Sequence, residues 1–319
     1  MPNPNIINLD HAPLAKGVFY GGNAGAKEAI VYENAIWMIK YPKFTRDLKN
    51  PQISYTTSPL SEYLGSKIYE VLGLPVHETI LGVRKSKVVV ACKDFTKAID
   101  TGNTVIDTSK LVLFHDLKNT FMSSDLESYS GTGSETLLQE VLDTIAGQED
   151  LKTTPGVIER FWDMFVVDAF IGNNDRNNGN WGLLWNMVND SATLAPVYDN
   201  GNAFFNKRSL IQIDKRLKDR SLMEEDAYKT LTSAYKYVGL DNEGHHINPF
   251  SFIESRTDKD CAAAVLRFLD RICTNKIECL INSIPENIGT LGVMPMMQKT
   301  FYLRLLEIRL EKLQALAKA

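Results

Sequence analysis

The sequence predicts an α+β protein with two lobes, a small sheet-rich part followed by a larger and mostly helical part. Two observations carry this prediction. Short apolar runs separated by turn residues fill residues 18–42 and 79–93, and beyond these the apolar residues recur mainly at helical spacing. We therefore expect residues 1–93 to form the first lobe and residues 94–319 the second.

The first lobe is predicted to be a small antiparallel sheet with one helix packed on it. Residues 18–42 contain three apolar runs, divided by a glycine-rich turn and by a corner at Glu33–Asn34. An amphipathic helix begins at Ser58–Pro59 and ends at Gly73. A further hairpin, with its charged turn at residues 84–87, completes the lobe.

The second lobe is predicted to be helical except for short strands around one polar loop. A helix begins at Thr154–Pro155, carries large apolar side chains at helical spacing and ends at Gly172. Two short strands joined through Asn189–Asp190 follow the polar loop. Later helices are expected at residues 258–283 and 297–317, the last docked on this lobe through its leucine stripe.

Composition excludes several classes of protein. The 319 residues include 35 Lys and Arg against 39 Asp and Glu, a net charge of −4 that does not favour nucleic acid as a partner. The chain contains no stretch of about 18 apolar residues, so no membrane span is predicted. The start of the chain does not resemble a secretory signal, so we expect a soluble protein. The cysteines form no CxxC pair and are interpreted as reduced core residues; they are Cys92, Cys261, Cys273 and Cys279.

The polar loop carries the residue types that phosphoryl transfer requires. It reads NNDRNNGNWG and follows the apolar helix directly, with Asp175 and Asn180 five positions apart; Asp199 follows a later apolar strand. One carboxylate orients or deprotonates an attacking hydroxyl, while an amide oxygen and a second carboxylate hold Mg²⁺ on the phosphates. The order D-x-x-x-x-N, hairpin, D-x-G is that of protein-kinase-like enzymes. We expect Asp175 to be catalytic and Asn180 and Asp199 to be the metal ligands.

The first lobe supplies the complementary groups. Lys40, on the third apolar run, is expected to reach the phosphates of ATP, and Glu62 on the following helix is expected to pair with it. The backbone amides of the glycine-rich turn are expected to cover the phosphates. That turn comprises Gly21, Gly22, Asn23, Ala24, Gly25, Ala26 and Lys27.

Each of these features alone has a plainer interpretation. A loop of Asn, Asp and Gly is usually only a turn, and an isolated lysine is usually a surface residue. The turn GGNAGAK matches neither a Walker loop nor a dinucleotide-binding loop. The order of the features favours the kinase interpretation, because independent turns would seldom follow that order.

Four segments together resemble the HipA-like kinases, a bacterial serine/threonine kinase family. They read FVVDAFIGNNDRNNGNWGLL, LAPVYDNGNAF, WMIKYP and SEYLGSKIYEVLGL. The resemblance implies a two-lobed protein-kinase-like fold and the roles given above for Lys40, Glu62, Asp175, Asn180 and Asp199. It also implies a protein of the bacterial cytoplasm that is delivered into host cells without a classical signal peptide. A hinge that contacts adenine is expected at Ala91, Cys92, Lys93 and Asp94.

The chain departs from the family pattern at three points. Where HipA-like toxins carry D-x-H, this chain has Asp175-Arg176-Asn177, a form also similar to type II phosphatidylinositol kinases. The toxins phosphorylate a serine in their own glycine loop, and residues 21–27 of this chain contain no serine. The predicted sheet begins near residue 18, so we expect no N-terminal subdomain of the kind that contacts an antitoxin, and no antitoxin partner is implied.

The sequence therefore predicts a kinase that uses ATP and Mg²⁺ to phosphorylate Ser or Thr hydroxyls of proteins, including its own. A host-cell protein is a candidate substrate. A phosphoinositide-type lipid kinase and a nonenzymatic pseudokinase or binding effector remain the alternatives. The candidate acceptors within the chain lie on a polar stretch expected to be a loop; they are Ser123, Ser124, Ser128, Ser130 and Ser134.

Overall fold

The computed structural model describes residues 6–21, 27–46, 53–123 and 135–318, and these ranges form an α+β fold. The N-terminal part contains five strands in one sheet and one helix. In chain order these are β1 Ile7–Asn8, β2 Lys27–Tyr32, β3 Ala35–Lys40, α1 Ser58–Val71, β4 Thr79–Arg84 and β5 Lys87–Lys93.

The five-stranded sheet has the order β1-β4-β5-β3-β2 and is antiparallel except for the parallel pair β1 and β4. Its two hairpins turn through residues with positive φ, Glu33 and Asn34 at 46° and 57° and Lys85 and Ser86 at 51° and 57°. Such turns match the right-handed twist of the paired strands. Both hairpins and the helix α1 confirm the predicted elements.

One predicted strand is wrong. Residues 18–20 lie outside any strand, and Phe19 is 91% exposed. The chain before them pairs with β2 instead, since the amide of Ala15 donates to the carbonyl of Ala29. The missing strand is replaced by β1, whose two residues are too short to give a sequence pattern.

The C-terminal part contains more strand than the sequence predicts. Its first elements are β6 Lys97–Ile99, β7 Val105–Asp107, β8 Ser109–Leu113, α2 Phe114–Ser123, α3 Leu138–Gly147, α4 Glu149–Thr153, α5 Val157–Ile171, β9 Gly182–Asn186 and β10 Ser191–Leu194. The β9–β10 hairpin is confirmed, but β6, β7 and β8 lie where helix was expected. They are stabilised by pairing, β6 with β7 and β8 with β9.

The remaining elements are mostly helices. They are α6 Leu210–Leu217, α7 Arg220–Glu224, one π-helical turn at Glu225–Lys229, β11 Lys236–Val238, β12 Gly244–His246, α8 Pro249–Ser255, α9 Lys259–Arg271, α10 Thr274–Ser283, β13 Asn287–Ile288, β14 Leu291–Gly292 and α11 Met296–Lys318. The helices predicted near the C-terminus are confirmed. None of the described helices is long and apolar enough to cross a bilayer.

The central helix α5 presents the polar loop from a rigid base. It begins after Gly156 and ends at Gly172, both with left-handed backbone, and almost all of its residues are buried. A left-handed glycine ends a helix because it satisfies the last carbonyls without a Cβ clash. Apolar side chains of α1, of α5 and of the C-terminal helices belong to one cluster, so α1 packs on both parts of the molecule.

The cysteines only partly match the prediction. All four are free, and Cys92 and Cys261 are buried, as expected for core residues. Cys273 is half-buried and Cys279 is exposed. The expectation of a core position is wrong for Cys279, which lies on the outer face of α10.

Candidate active site

A cavity of about 650 Å³ lies between the five-stranded sheet and the loops that follow α5 and β10. Lys27 and Lys40 line it from the hairpin β2–β3, and Cys92 lines it from β5. Asn180 and Asp199 line it from the two loops. Residues separated by up to 172 positions in the sequence thus converge on one space.

Lys40 lies between two carboxylates at the inner end of this cavity. Its Nζ is 2.8 Å from Oε2 of Glu62 and 2.9 Å from Oδ1 of Asp199. The ammonium group therefore joins the sheet, helix α1 and the loop after β10. This is the pairing that the sequence predicts for Lys40 and Glu62.

The other oxygen of Glu62 is held by groups that the sequence did not reveal. Oε1 lies 3.1 Å from Nε2 of His77 and accepts a hydrogen bond of 3.0 Å from the backbone amide of Asn200. His77 also contacts the hydroxyl of Ser66 at 3.1 Å. A single histidine between a helix and a strand has no local pattern that marks it, so only its place in the fold identifies it.

These contacts set the protonation states of the site. Burial opposes the charge of Glu62, but Lys40 and His77 outweigh it and lower the pKa of the carboxyl. Lys40 also lowers the pKa of Asp199. Burial likewise opposes the charge of Lys40, yet Glu62 and Asp199 hold the pKa of the ammonium well above its usual value. All three groups are therefore charged at neutral pH.

The buried ion pair makes the protein less stable in acid. The pKa of Glu62 is lower in the folded than in the unfolded chain, so its contribution is fully present above pH 4.5 and declines as the pH falls below that value. We expect this group to reduce the free energy of unfolding by about 1.4 kcal/mol per pH unit in that range. Urea unfolding between about pH 3 and pH 5 measures the slope.

Two variants test whether Glu62 causes this slope of unfolding free energy against pH. Glu62→Gln should lose this part of the pH dependence, whereas Glu311→Gln, at an exposed position of α11, should keep it. Equal slopes for wild type and Glu62→Gln would contradict the assignment.

The polar loop is an ordered turn held by its own side chains. The amide of Asp175 donates to Oδ1 of Asn173 at 3.2 Å, and Nδ2 of Asn177 donates to Oδ1 of Asp175 at 3.0 Å. Nδ2 of Asn180 donates to the carbonyl of Asp175 at 2.5 Å. Asp175 itself is exposed and does not line the cavity, so its carboxylate is accessible from solvent.

Arg176 is the buried anchor of this loop. Its guanidinium forms a two-point ion pair with Asp168 of α5, at 2.9 Å and 3.2 Å. It also donates to the carbonyl of Asn180 at 3.1 Å, to the carbonyl of Tyr198 and to Oδ1 of Asn200 at 2.5 Å. The arginine shared with the type II phosphatidylinositol kinases thus points into the protein, and its side chain does not indicate a lipid acceptor.

The loop that carries Asp199 closely approaches helix α1. Asp199 has a left-handed backbone, φ 60°, which aspartate tolerates better than most residues. A Cβ on Gly65 would lie 2.8 Å from Cβ of Asn200, so only glycine allows this approach. The hydroxyl of Ser61 donates to the carbonyl of Ala203 at 2.9 Å and fixes the same loop from the helix side.

The structure describes only the two ends of the glycine-rich turn that is predicted to bind the nucleotide. Gly22, Asn23, Ala24, Gly25 and Ala26 lie outside the described residues. At the borders of that turn, Nζ of Lys27 donates to the carbonyl of Gly21 at 3.0 Å.

The predicted hinge only partly lines the cavity. Cys92, Lys93 and Asp94 are in its wall, whereas Ala91 is buried within β5 and is not. Phe95, which no sequence motif marks, also lines the wall and packs on Tyr198, with ring centroids 6.0 Å apart. The roles assigned to these residues stay predictions.

Comparison with known proteins agrees with this geometry. No family model matches the chain. The serine/threonine-protein kinase CtkA of Helicobacter pylori is 36% identical over 267 residues, which cover 83% of this chain and 75% of CtkA. The crystal structure of a Helicobacter pylori proinflammatory kinase CtkA matches with a TM-score of 0.81 and 30% identity, covering 98% of each chain.

A more distant match indicates the fold alone. A chain of the HipA–HipB–operator DNA complex of Shewanella oneidensis gives a TM-score of 0.52 at 11% identity, covering 97% of this chain and 68% of that one. The expected two-lobed, protein-kinase-like fold is confirmed. Its fold is HipA-like, and the chain belongs to the family of the serine/threonine-protein kinase CtkA.

Proposed function

We propose that the cavity is the ATP site of this kinase, and that Lys40, Glu62, Asp175, Asn180 and Asp199 carry the transfer of the γ-phosphoryl group to Ser or Thr hydroxyls. The observation that carries this proposal is the position of Lys40. Its Nζ lies within 2.9 Å of two carboxylates, that of Glu62 on helix α1 and that of Asp199 on the loop after β10. Asn180 lines the same cavity.

The charges of the cavity fit a nucleotide triphosphate. Lys40 and Lys27 face each other across the β2–β3 ladder, and both side chains reach the cavity. Lys40 would bind phosphate oxygens while Glu62 keeps its side chain extended. Lys27 offers a second ammonium, and its burial, together with the neighbouring charge of Lys40, lowers its pKa.

The donor set of the two loops fits Mg²⁺. Asn180 offers an amide oxygen and Asp199 a carboxylate, and hard oxygen ligands of this kind suit that ion. When bound, Mg²⁺ supplies neutralisation of the phosphate charge. Asp175 would accept the proton of the acceptor hydroxyl, whose oxygen then forms the bond to the γ-phosphorus as ADP leaves.

We place the boundary between the lobes near residue 93, where β5 ends and the chain enters the cavity wall. Lys93 is still held to the sheet, since its amide donates to the carbonyl of Glu78 at 2.9 Å. Phe95 and Tyr198 pack together just beyond, where an adenine ring would meet aromatic side chains.

Transfer of label from γ-labelled ATP tests the assignment. Wild type with Mg²⁺ should phosphorylate Ser or Thr of itself or of proteins in a host-cell extract, in keeping with the proinflammatory description of the Helicobacter kinase. Lys40→Met should lower this rate about 10²- to 10³-fold, because a preorganised positive charge is lost. Lys110→Met, another lysine of the cavity wall, is the control and should retain most of the rate.

Two outcomes would contradict the proposal. Labelling confined to phosphoinositide vesicles would make the enzyme a lipid kinase. Lys40→Met with the wild-type rate would show that the cavity is not the site of transfer.

A further inference from the structure

Three side chains with metal-binding atoms meet beside the Lys40–Glu62 pair. They are Glu62 of α1, His77 of the segment before β4 and Cys92 of β5, and their ligand atoms all lie within 4.8 Å of one another. These residues are 1%, 5% and 1% exposed. His77 and Cys92 line the cavity, so a small ion has a path to the cluster from solvent.

The chemistry of this cluster favours Zn²⁺ over Mg²⁺. Zinc is bound by thiolate, imidazole and carboxylate at about 2.0–2.3 Å, and sites with three protein ligands keep a fourth position for water. Tetrahedral bonds of these lengths place ligand atoms about 3.3–3.7 Å apart. Nε2 of His77 and Oε1 of Glu62 are already 3.1 Å apart. Mg²⁺ prefers oxygen ligands and does not suit a thiolate.

A buried hydroxyl next to the cluster lacks a partner. Oγ1 of Thr79 makes no hydrogen bond within the described ranges, although Thr79 is only 4% exposed. Thr79 is directly opposite Cys92 in the β4–β5 ladder, so both side chains lie on the same face of the sheet. Buried polar atoms are normally paired with protein, water or an ion. A water in the fourth position of a bound ion would supply that partner.

We propose that Glu62, His77 and Cys92 form a Zn²⁺ site that inhibits the kinase by drawing the Glu62 carboxylate away from Lys40. On coordination the Cys92 thiol releases its proton to solvent, and Glu62 and His77 bind as carboxylate and neutral imidazole. Zinc and the Lys40 ammonium are both cationic and compete for one carboxylate. The inhibition rests on the proposed function of Lys40, whereas the binding of the metal does not.

Cobalt(II) tests the binding because it is a visible probe for zinc sites. Wild type with one equivalent of Co²⁺ should show the intense d–d bands of a tetrahedral ion and a thiolate-to-cobalt charge-transfer band, all removed by added Zn²⁺. Cys92→Ser should lose the charge-transfer band. Cys279→Ser is the matched control, since Cys279 is an exposed cysteine of α10, and it should keep the band.

His77→Gln keeps the cysteine and should weaken Zn²⁺ affinity at least about tenfold. Near-UV circular dichroism of each apo variant shows whether it has folded, and a folded His77→Gln chain gives the result even if Cys92→Ser does not fold. A charge-transfer band that persists in Cys92→Ser, or is absent from wild type, would overturn the site.

Kinase assays with Mg²⁺-ATP, with and without micromolar Zn²⁺, test the inhibition. The wild-type rate should fall and recover on chelation, and Cys92→Ser should need at least tenfold more Zn²⁺ for the same fractional loss. Cobalt binding at Cys92 without inhibition by Zn²⁺ would overturn the regulatory role. A wild type that is inactive even without Zn²⁺ would count against the proposed function instead, and the cobalt spectrum would still decide the site.

Discussion

Replacing Asp175 by asparagine should lower kcat about 10²- to 10⁴-fold, because the variant loses the group that we propose accepts the proton of the acceptor hydroxyl. Asp175 is exposed and lies outside the cavity wall, so affinity for ATP should change little. Stability should stay within about 0.5 kcal/mol of wild type, as is usual for an exposed position. Steady-state kinetics and binding of a fluorescent nucleotide separate the two effects.

Asp190→Asn is the matched control for this variant. Asp190 is also an exposed aspartate, it lies at the turn between β9 and β10, and its left-handed backbone accepts asparagine. Its kcat should equal that of wild type. If Asp175→Asn retains the wild-type kcat, another group must accept the proton and the catalytic assignment is wrong.

Replacing Arg176 by methionine should have the largest effect on stability. The change leaves the carboxylate of Asp168 buried, 5% exposed, without its ion-pair partner. Loss of one member of a buried pair costs about 3–5 kcal/mol. The carbonyls of Asn180 and Tyr198 also lose their common donor, so the two loops that flank the cavity should lose their fixed separation. Urea unfolding measures the first effect.

The double variant with Asp168→Asn distinguishes charge from packing. Removing the unpaired carboxylate as well should restore part of the lost stability, while kcat should remain below that of wild type in both variants, because the carbonyls of the two loops still lack Arg176. Arg304→Met is the control, since Arg304 forms an exposed pair with Glu307 one helical turn away, and it should change stability by about 0.5 kcal/mol or less. A loss for Arg176→Met no larger than that of Arg304→Met would show that the network does not stabilise the loops.

The order of the elements could be predicted from the sequence where each signal is local. Periodicity and end signals located α1, α5 and the two hairpins, because those patterns arise from burial of one face. The strands β6, β7 and β8 were missed, since their stability comes from pairing with one another or with β9. The strand predicted at residues 18–20 is wrong for the opposite reason, because this apolar run pairs with no strand.

Individual residues of the candidate site could be predicted only where they belong to a sequence motif. Lys40, Glu62 and Asp199 were placed together by their order along the chain, and their distances agree with that expectation. The position of His77 and the burial of the Arg176 side chain depend on contacts between segments that are distant in the sequence. No local pattern encodes such contacts. The expected acceptors Ser124, Ser128, Ser130 and Ser134 lie outside the described residues, while Ser123 ends α2.

The close approach of helix α1 to the loop after Asp199 bears on how this kinase is controlled. Tyr69 of that helix donates to Asp168 at 2.9 Å, and Gly65 leaves no gap in front of Asn200. An outward swing of the helix, which in other kinases separates the glutamate from the lysine, would here break these contacts and expose the shared apolar cluster. We expect an enzyme that is assembled as soon as it folds, whose output is governed by what enters the cavity.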